Sequence, residues 1–210
     1  MAILLLTACN KTIDNTELNQ GKGLILDFEQ PSKESIFIDI DNQVPILKSY
    51  LAQFDEPEIE MSRMQSTYLI SYKQRDYFLL SYSCGTKICH QLLLEHYQGK
   101  IKSFEVSEAS FLQDSKHSNN YLAFLFGRNE GKEVIRNQVV IVDLQNFRKM
   151  TLPEHFGILE SFEYPIPSIE WKDRHLKATI AVLEDPSYDS IKEWNKNNKE
   201  STQELLWKIQ

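Results

Sequence analysis

The sequence predicts a mainly β fold, in which antiparallel strands form a meander, a sandwich or a partial propeller-like sheet. Short runs of Val, Ile, Leu, Phe and Tyr recur after position 65, and Gly, Asn, Asp or Lys residues separate them. Such runs, bounded by turn residues, are typical of β-strands. Hydrophobic residues make up 41% of the chain and charged residues 25%. This composition provides enough apolar surface for a folded core and excludes a disordered chain.

Two strands and one short helix are expected at the start of the folded domain. Residues 24–28 and 36–40 are apolar runs, and Gln30-Pro31-Ser32 interrupts them. The following segment "NQVPILKSYLAQFDEPE" has apolar residues at helical spacing, a proline near its first turn and another past its end. These signals predict a helix over about residues 45–54.

Three segments of similar organisation follow, at residues 68–106, 121–152 and 169–209. The stretch "HSNNYLAFLFGRNEGKEVIRNQVVIVDLQNFRKMTL" resembles one blade of a β-propeller, and "SIEWKDRHLKATIAV" resembles the opening of a further blade. Their spacing of about 45–50 residues is within the range of propeller blades. Propellers usually have about four to eight blades, so three such units favour an antiparallel meander or sandwich over a ring.

A polar insertion, "EDPSYDSIKEWNKNNKES", separates the last strands. Ser187 or Asp189 is suited to cap a short helix that carries Ile191 and Trp194. The final "TQELLWKIQ" is predicted to be a strand. Trp194 is expected to pack against the sheet, since large aromatic residues are buried on average. The alternative is an exposed contact with a partner, for which Trp171 is the second candidate.

Two cysteines lie in "DYFLLSYSCGTKICHQLLLEHY", which reads as a β-hairpin with a Gly-bearing connection. Facing residues near strand ends have Cβ atoms about 4.5–5.5 Å apart, so Cys84 and Cys89 are expected to form a disulfide in an oxidising compartment. A metal site that adds His90 and His96 is disfavoured by the ligand spacing. A redox-active pair and a nucleophilic cysteine with His96 are further alternatives.

The chain begins "MAILLLTACNK", and Leu6-Thr7-Ala8-Cys9 resembles the lipobox of bacterial lipoproteins. The resemblance implies cleavage before Cys9 and attachment of acyl chains such as palmitate to that residue. Each buried CH₂ group contributes about 0.8 kcal/mol to membrane binding. The polar stretch after Cys9 is suited to a tether. The expected organisation is a signal-peptide remnant at 1–8, a lipidated cysteine and flexible tether at 9–23, and a single β-rich domain at 24–210.

This resemblance implies a lipid-anchored protein of the cell envelope. Asn10 stands where an Asp would favour retention at the inner membrane of a Gram-negative host, so the outer membrane, facing the periplasm, is expected there. In another host the expected site is the outer face of the cell membrane. Lipoprotein leaders usually have Lys or Arg before the apolar run, and only Met1 and Ala2 precede it here. If the resemblance holds, we expect the true start to lie upstream or the given start to be truncated.

The composition and the motifs limit the function classes. The net charge of −7 argues against nucleic acid as a partner, because nucleic-acid affinity comes largely from cationic side chains. The chain has no Gly-x-Ser-x-Gly, His-Glu-x-x-His or phosphate-binding loop. We therefore expect a non-catalytic binding or assembly module with an envelope protein or glycan as partner, no cofactor, no metal and no assigned catalytic residue. The alternative is an envelope hydrolase with a site built from loops.

Overall fold

The computed structural model describes residues 24–31, 33–86, 88–197 and 201–209, and it confirms the mainly β prediction. The segments predicted to be a signal-peptide remnant, 1–8, and a tether, 9–23, lie outside the described residues. The strands are β1 (Ile25–Gln30), β2 (Lys33–Asp39), β3 (Gln65–Tyr72), β4 (Arg75–Tyr82), β5 (Cys89–Tyr97), β6 (Lys100–Ser118), β7 (Tyr121–Glu130), β8 (Val134–Asp143), β9 (Arg148–Lys149), β10 (Ser168–Lys172), β11 (His175–Ala181) and β12 (Thr202–Lys208). The helices are α1 (Ile40–Gln43), α2 (Pro45–Leu51), α3 (Pro57–Ser62) and α4 (Tyr188–Lys196), and a 3₁₀ helix covers Glu154–Leu159.

Within each of three sheets, every strand pairs antiparallel with the strand that is next to it in the chain. β1 and β2 form a two-stranded ribbon, β3 to β9 form one meander in sequence order, and β10, β11 and β12 form a third sheet. The described strands do not close into a barrel. The expected antiparallel meander is therefore present. The segments at 68–106 and 121–152 belong to it, whereas the segment at 169–209 contains the separate third sheet.

The long strand β6 divides the seven-stranded meander into two halves. Its residues 100–110 pair with β5, and its residues 111–118 pair with β7. Near the junction, Ala109 has a φ of 44°, in the left-handed region that L-residues with a side chain rarely adopt. The Arg128 side chain donates hydrogen bonds to the backbone oxygens of Ala109 and Glu108, both at 3.0 Å. We call β3–β5 with residues 100–110 the first half-sheet, and residues 111–118 with β7–β9 the second.

The layers stack face to face with three apolar cores between them. Successive side chains of a strand point to opposite faces of its sheet. Tyr77 and Leu79 therefore pack between the two half-sheets, whereas Phe78 and Leu80 pack under the β1–β2 ribbon and the N-terminal helices. The third core lies between the second half-sheet and the third sheet. The order of layers is thus the N-terminal unit, the first half-sheet, the second half-sheet and the third sheet.

The N-terminal helical region differs from the single helix expected over residues 45–54. The Asp39 side chain caps α1 by accepting a hydrogen bond from the Asn42 backbone N–H, and prolines begin both α2 and α3. Proline suits the first helical position because its missing N–H has no partner there in any case. The predicted helix is therefore present as α2, which ends at Leu51, and two further short helices, α1 and α3, lie on either side of it in the chain. Phe54 lies beyond the end of α2, with its ring against that of Tyr50 at 5.0 Å.

The predicted elements of the C-terminal segment are present. Ser187 caps α4, accepting a hydrogen bond from the Ser190 backbone N–H, and β12 completes the third sheet. No helix in the described part of the chain is both long and apolar enough to cross a membrane.

Candidate functional site

A cavity of about 340 Å³ lies where three hairpin turns of different layers meet. The β3–β4 turn, the β6–β7 turn and the β10–β11 turn contribute to it. We call it the turn-end cavity; the lining residues that matter for its chemistry are Tyr72, Ser118, Asn119, Tyr121, Trp171 and Arg174. Its volume is within the range of about 300–1,000 Å³ that is usual for small-molecule sites.

Aromatic rings form one side of this cavity. The rings of Tyr121 and Trp171 lie side by side, with centroids 6.3 Å apart and an interplanar angle of 32°. The Trp171 indole Nε1 donates a hydrogen bond to the Lys116 backbone oxygen at 3.0 Å. Because its only donor is used in this way, Trp171 presents ring surface rather than a polar atom to the cavity.

Hydrogen bonds between the hairpin turns, centred on Asn120, fix another part of the cavity lining. The Tyr72 hydroxyl donates to Asn120 Oδ1 at 2.6 Å, and Lys73 Nζ donates to the same oxygen at 3.2 Å. Asn120 Nδ2 donates to Gln145 Oε1 at 3.3 Å. Asn120 therefore joins the turns. Beside it, Asn119 Nδ2 donates a hydrogen bond to Ser118 Oγ at 3.3 Å, which leaves the Ser118 hydroxyl hydrogen and the Asn119 amide oxygen to meet a ligand.

The turns that form the rim depend on residues in the left-handed region. Asn119 has a φ of 53° and Asp173 a φ of 55°, and Asn and Asp visit this region more readily than other residues with a side chain. Each turn is a two-residue connection, since Ser118 pairs with Tyr121 and Lys172 with His175. Such short turns give the cavity a rim with fixed geometry.

Arg174 is the one charged side chain among the described residues that line the cavity. It is exposed, and within the described part of the chain no hydrogen bond or ion pair holds its guanidinium. Lys73 lies at the edge, over the Tyr72 ring at 5.1 Å from its centroid. Arg174 and Lys73 therefore bring positive charge to this cavity, and Asp173, the neighbour of Arg174 in the same turn, brings a negative charge to its rim.

The Cys84–Cys89 disulfide is present, with Cα atoms 4.1 Å apart. Cys84 lies in the connection between β4 and β5, and Cys89 is the first residue of β5, so the pair closes the end of the predicted hairpin. Because both sulfur atoms are consumed by this bond, neither is a thiolate ligand or a nucleophile. The described residues contain no cluster of three or more His, Cys, Asp or Glu side chains arranged to hold a metal ion.

A second, more open groove of about 580 Å³ lies beside this hairpin, between α2 and the first half-sheet. Tyr82 and His90 line this groove, and both contact Glu105: its Oε1 accepts a hydrogen bond from the Tyr82 hydroxyl at 2.9 Å and lies 2.6 Å from His90 Nδ1. Burial, followed by the hydrogen bond to Glu105, raises the pKa of Tyr82 well above its usual value. Burial also raises the pKa of Tyr50, and a hydrogen bond with Ser83 opposes this.

The other residues singled out from the sequence occupy different places. Trp171 is half-buried and lines the turn-end cavity. Trp194 is 6% exposed, and its Nε1 donates to the Ser201 backbone oxygen at 2.8 Å, so it offers little surface to a partner. The structure therefore does not bring the two tryptophans into one contact surface. Cys9 lies outside the described residues.

The sequence reasoning missed Tyr72, Asn119 and Arg174. Each of the three segments has a polar turn in a hairpin near its start, and these turns are the signal that could have pointed to the cavity. Turns at equivalent places in stacked sheets meet at one end of the stack. In the comparisons with known proteins, no protein-family model matches this chain, and no curated protein matches its sequence.

Proposed function

We propose that this protein is a lipid-anchored binding module of the cell envelope and that the turn-end cavity is its ligand site. The anchor is supported by Leu6-Thr7-Ala8-Cys9 and the polar stretch that follows it. The binding role is supported above all by the cavity, where aromatic surface, the Arg174 guanidinium and polar side chains lie together. Concave sites of this kind, with a few polar groups that fix orientation, are typical of ligand binding.

The anchor is tested by expressing the gene with its native leader and comparing Cys9→Ser with the wild type. The expected result is wild-type protein in the membrane fraction and the variant in the aqueous fraction, because the acyl attachment site is removed. Cys84→Ser combined with Cys89→Ser is the matched control, since it removes sulfur atoms but leaves the anchor. Membrane association of the Cys9 variant would contradict the proposal.

The binding role is tested by tryptophan fluorescence of the folded domain, titrated with solubilised envelope glycans and envelope peptides. Trp171 lines the cavity, whereas Trp194 and Trp207 are 6% and 8% exposed. A saturable change in emission is expected, which Trp171→Phe abolishes and Trp207→Phe retains. A protein that responds to none of these fractions, or responds equally without Trp171, is not a binding module that uses this cavity.

One observation favours the alternative of an envelope hydrolase. His90 Nδ1 lies 2.6 Å from Glu105 Oε1, and in the tautomer in which Nδ1 donates to this carboxylate, Nε2 is the acceptor on a residue that lines the open groove. A carboxylate-oriented imidazole is the arrangement that general-base catalysis requires. Ser83, which also lines the groove, hydrogen-bonds with Tyr50 instead. Labelling of the protein by a fluorophosphonate, lost in His90→Ala, would favour this alternative.

A further inference from the structure

We infer that the turn-end cavity binds a saccharide that carries a carboxylate, with Arg174 as the residue that pairs with the carboxylate. This inference rests on the proposed binding function and specifies the ligand of the same site.

The charge of the ligand follows from the cavity's own charged groups. The described residues that line it include a guanidinium and no carboxylate. Arg174 has five N–H donors in a planar fork, and in the described part of the chain none of them is engaged. Two parallel hydrogen bonds to a carboxylate are the pairing that this fork makes best. A ligand with a negative, planar group therefore fits, and a cationic ligand does not.

The ring surface favours a sugar as the body of the ligand. Tyr121 and Trp171 offer adjoining ring faces, and the negative face of an aromatic ring attracts the slightly positive C–H groups of a pyranose. Ser118 and Asn119 supply a hydroxyl and an amide within the same cavity. These groups both donate and accept hydrogen bonds, as sugar hydroxyls require.

A peptide is the competing class of ligand, since peptides often bind by adding a strand to an open sheet edge. β10, which carries Trp171, and β3, which ends at Tyr72, are both edge strands of their sheets. The cavity itself is lined by side chains at the ends of hairpins and in their short turns. Recognition of hydroxyls and a carboxylate is the chemistry that these side chains support.

The experiment is isothermal titration with digalacturonic acid and its dimethyl ester, which share a sugar skeleton and differ in charge. The acid is expected to bind the wild type, and the ester to bind at least about tenfold more weakly, since a charge-assisted pair is lost. Arg174→Ala should weaken binding of the acid by about tenfold or more, and Arg174→Lys by less. Higher salt should weaken binding of the acid and leave the ester unaffected.

Lys132→Ala is the matched control. Lys132 is exposed in the β7–β8 turn, at the opposite end of β7 from Asn119. Its loss changes the net charge as Arg174→Ala does, but it is expected to leave the affinity within about twofold. Circular dichroism and thermal unfolding of each variant show that the fold is retained.

Three results would overturn the inference: no binding of the acid, equal binding of the acid and the ester, or unchanged affinity in Arg174→Ala. If a Trp171-dependent fluorescence response to another envelope fraction persists, the ligand class is wrong and the binding function stands. If the acid fails and no fraction gives that response, the binding function fails as well.

Discussion

The two half-sheets and the third sheet are built from the same kind of antiparallel hairpins, but they differ in how many faces they bury. In β7 of the second half-sheet, residues 122–126 are all buried, and alternate side chains enter different cores. In β11 of the third sheet, Leu176, Ala178 and Ile180 are buried, and the residues between them are partly exposed. Strands between two layers therefore have continuous apolar runs, and strands at the end of the stack alternate.

The outer face of the third sheet shows why the stack ends there. Lys177 lies on this face and pairs with Glu204 at 3.0 Å and with Glu170 on the other neighbouring strand. Charged side chains that satisfy each other in water do not favour the addition of another sheet, as in the capping units of repeat proteins. A continuous apolar run in a strand therefore indicates a place inside the stack, and alternation of apolar and polar residues indicates a place at its end.

The largest effect is expected from Phe124→Ala, in the second half-sheet. Phe124 is fully buried between the half-sheets, with its ring 5.4 Å from that of Phe126. Removing a buried phenylalanine side chain costs about 3–5 kcal/mol. Leu206→Ala is the matched change in the third sheet; Leu206 is 47% exposed, and its loss should cost less than about 0.5 kcal/mol. Urea unfolding followed by circular dichroism measures both, and similar costs would show that the two sheets are not buried differently.

A smaller loss of stability is expected when one partner of a buried ion pair in the first half-sheet is replaced. In the first half-sheet, the Glu95 side chain is 2% exposed, accepts a hydrogen bond from Arg75 at 2.8 Å and lies 3.5 Å from Lys102. The hydrogen bond to Glu95 raises the pKa of Arg75. Removing one partner of a buried pair costs about 3–5 kcal/mol, and since the Arg75 side chain is 31% exposed, we expect about 2–3 kcal/mol for Glu95→Gln.

The control for Glu95→Gln is Glu170→Gln in the third sheet. The hydrogen bond from Lys177 lowers the pKa of Glu170, but this pair lies on the solvent-facing side. Exposed pairs contribute little because water and salt screen them, so the urea midpoint should stay where it is in the wild type. A loss of stability in Glu170→Gln as large as that in Glu95→Gln would remove the distinction between the two regions.

The strands could be predicted from the sequence because they depend on local information. The hairpin with Cys84 and Cys89, the break at Pro31 and the cap at Ser187 all follow from side chains within a few residues. The stacking order was not predicted, although the runs "YFLL" and "LAFLFG" lack the alternation of a one-sided sheet. A strand that is buried on both faces has a continuous apolar run, so these two runs indicate that β4 and β7 lie inside the stack.

The turn-end cavity could not be predicted in the same way. Tyr72, Asn120 and Arg174 are far apart in the chain, and each stands in an ordinary hairpin turn. Only the face-to-face packing of the layers brings these turns together, and that packing depends on long-range contacts. Trp171 was named because tryptophan is common at contact surfaces, without any information about its neighbours.

The smallest effect tests how tightly the middle of the stack is packed. A Cβ atom added at Gly127, in β7, would lie 2.5 Å from Cζ of Phe111 on the neighbouring strand. The ring must therefore move, and Gly127→Ala should cost about 1–2 kcal/mol. At Gly157, in the 3₁₀ helix beyond the second half-sheet, an added Cβ meets no atom within 4 Å, so Gly157→Ala should be neutral or slightly stabilising, because alanine loses less backbone entropy on folding. Thermal unfolding of the two variants measures the difference. Equal midpoints would mean that the Phe111 ring moves without a loss of stability. The middle of the stack would then be packed less tightly than its burial indicates.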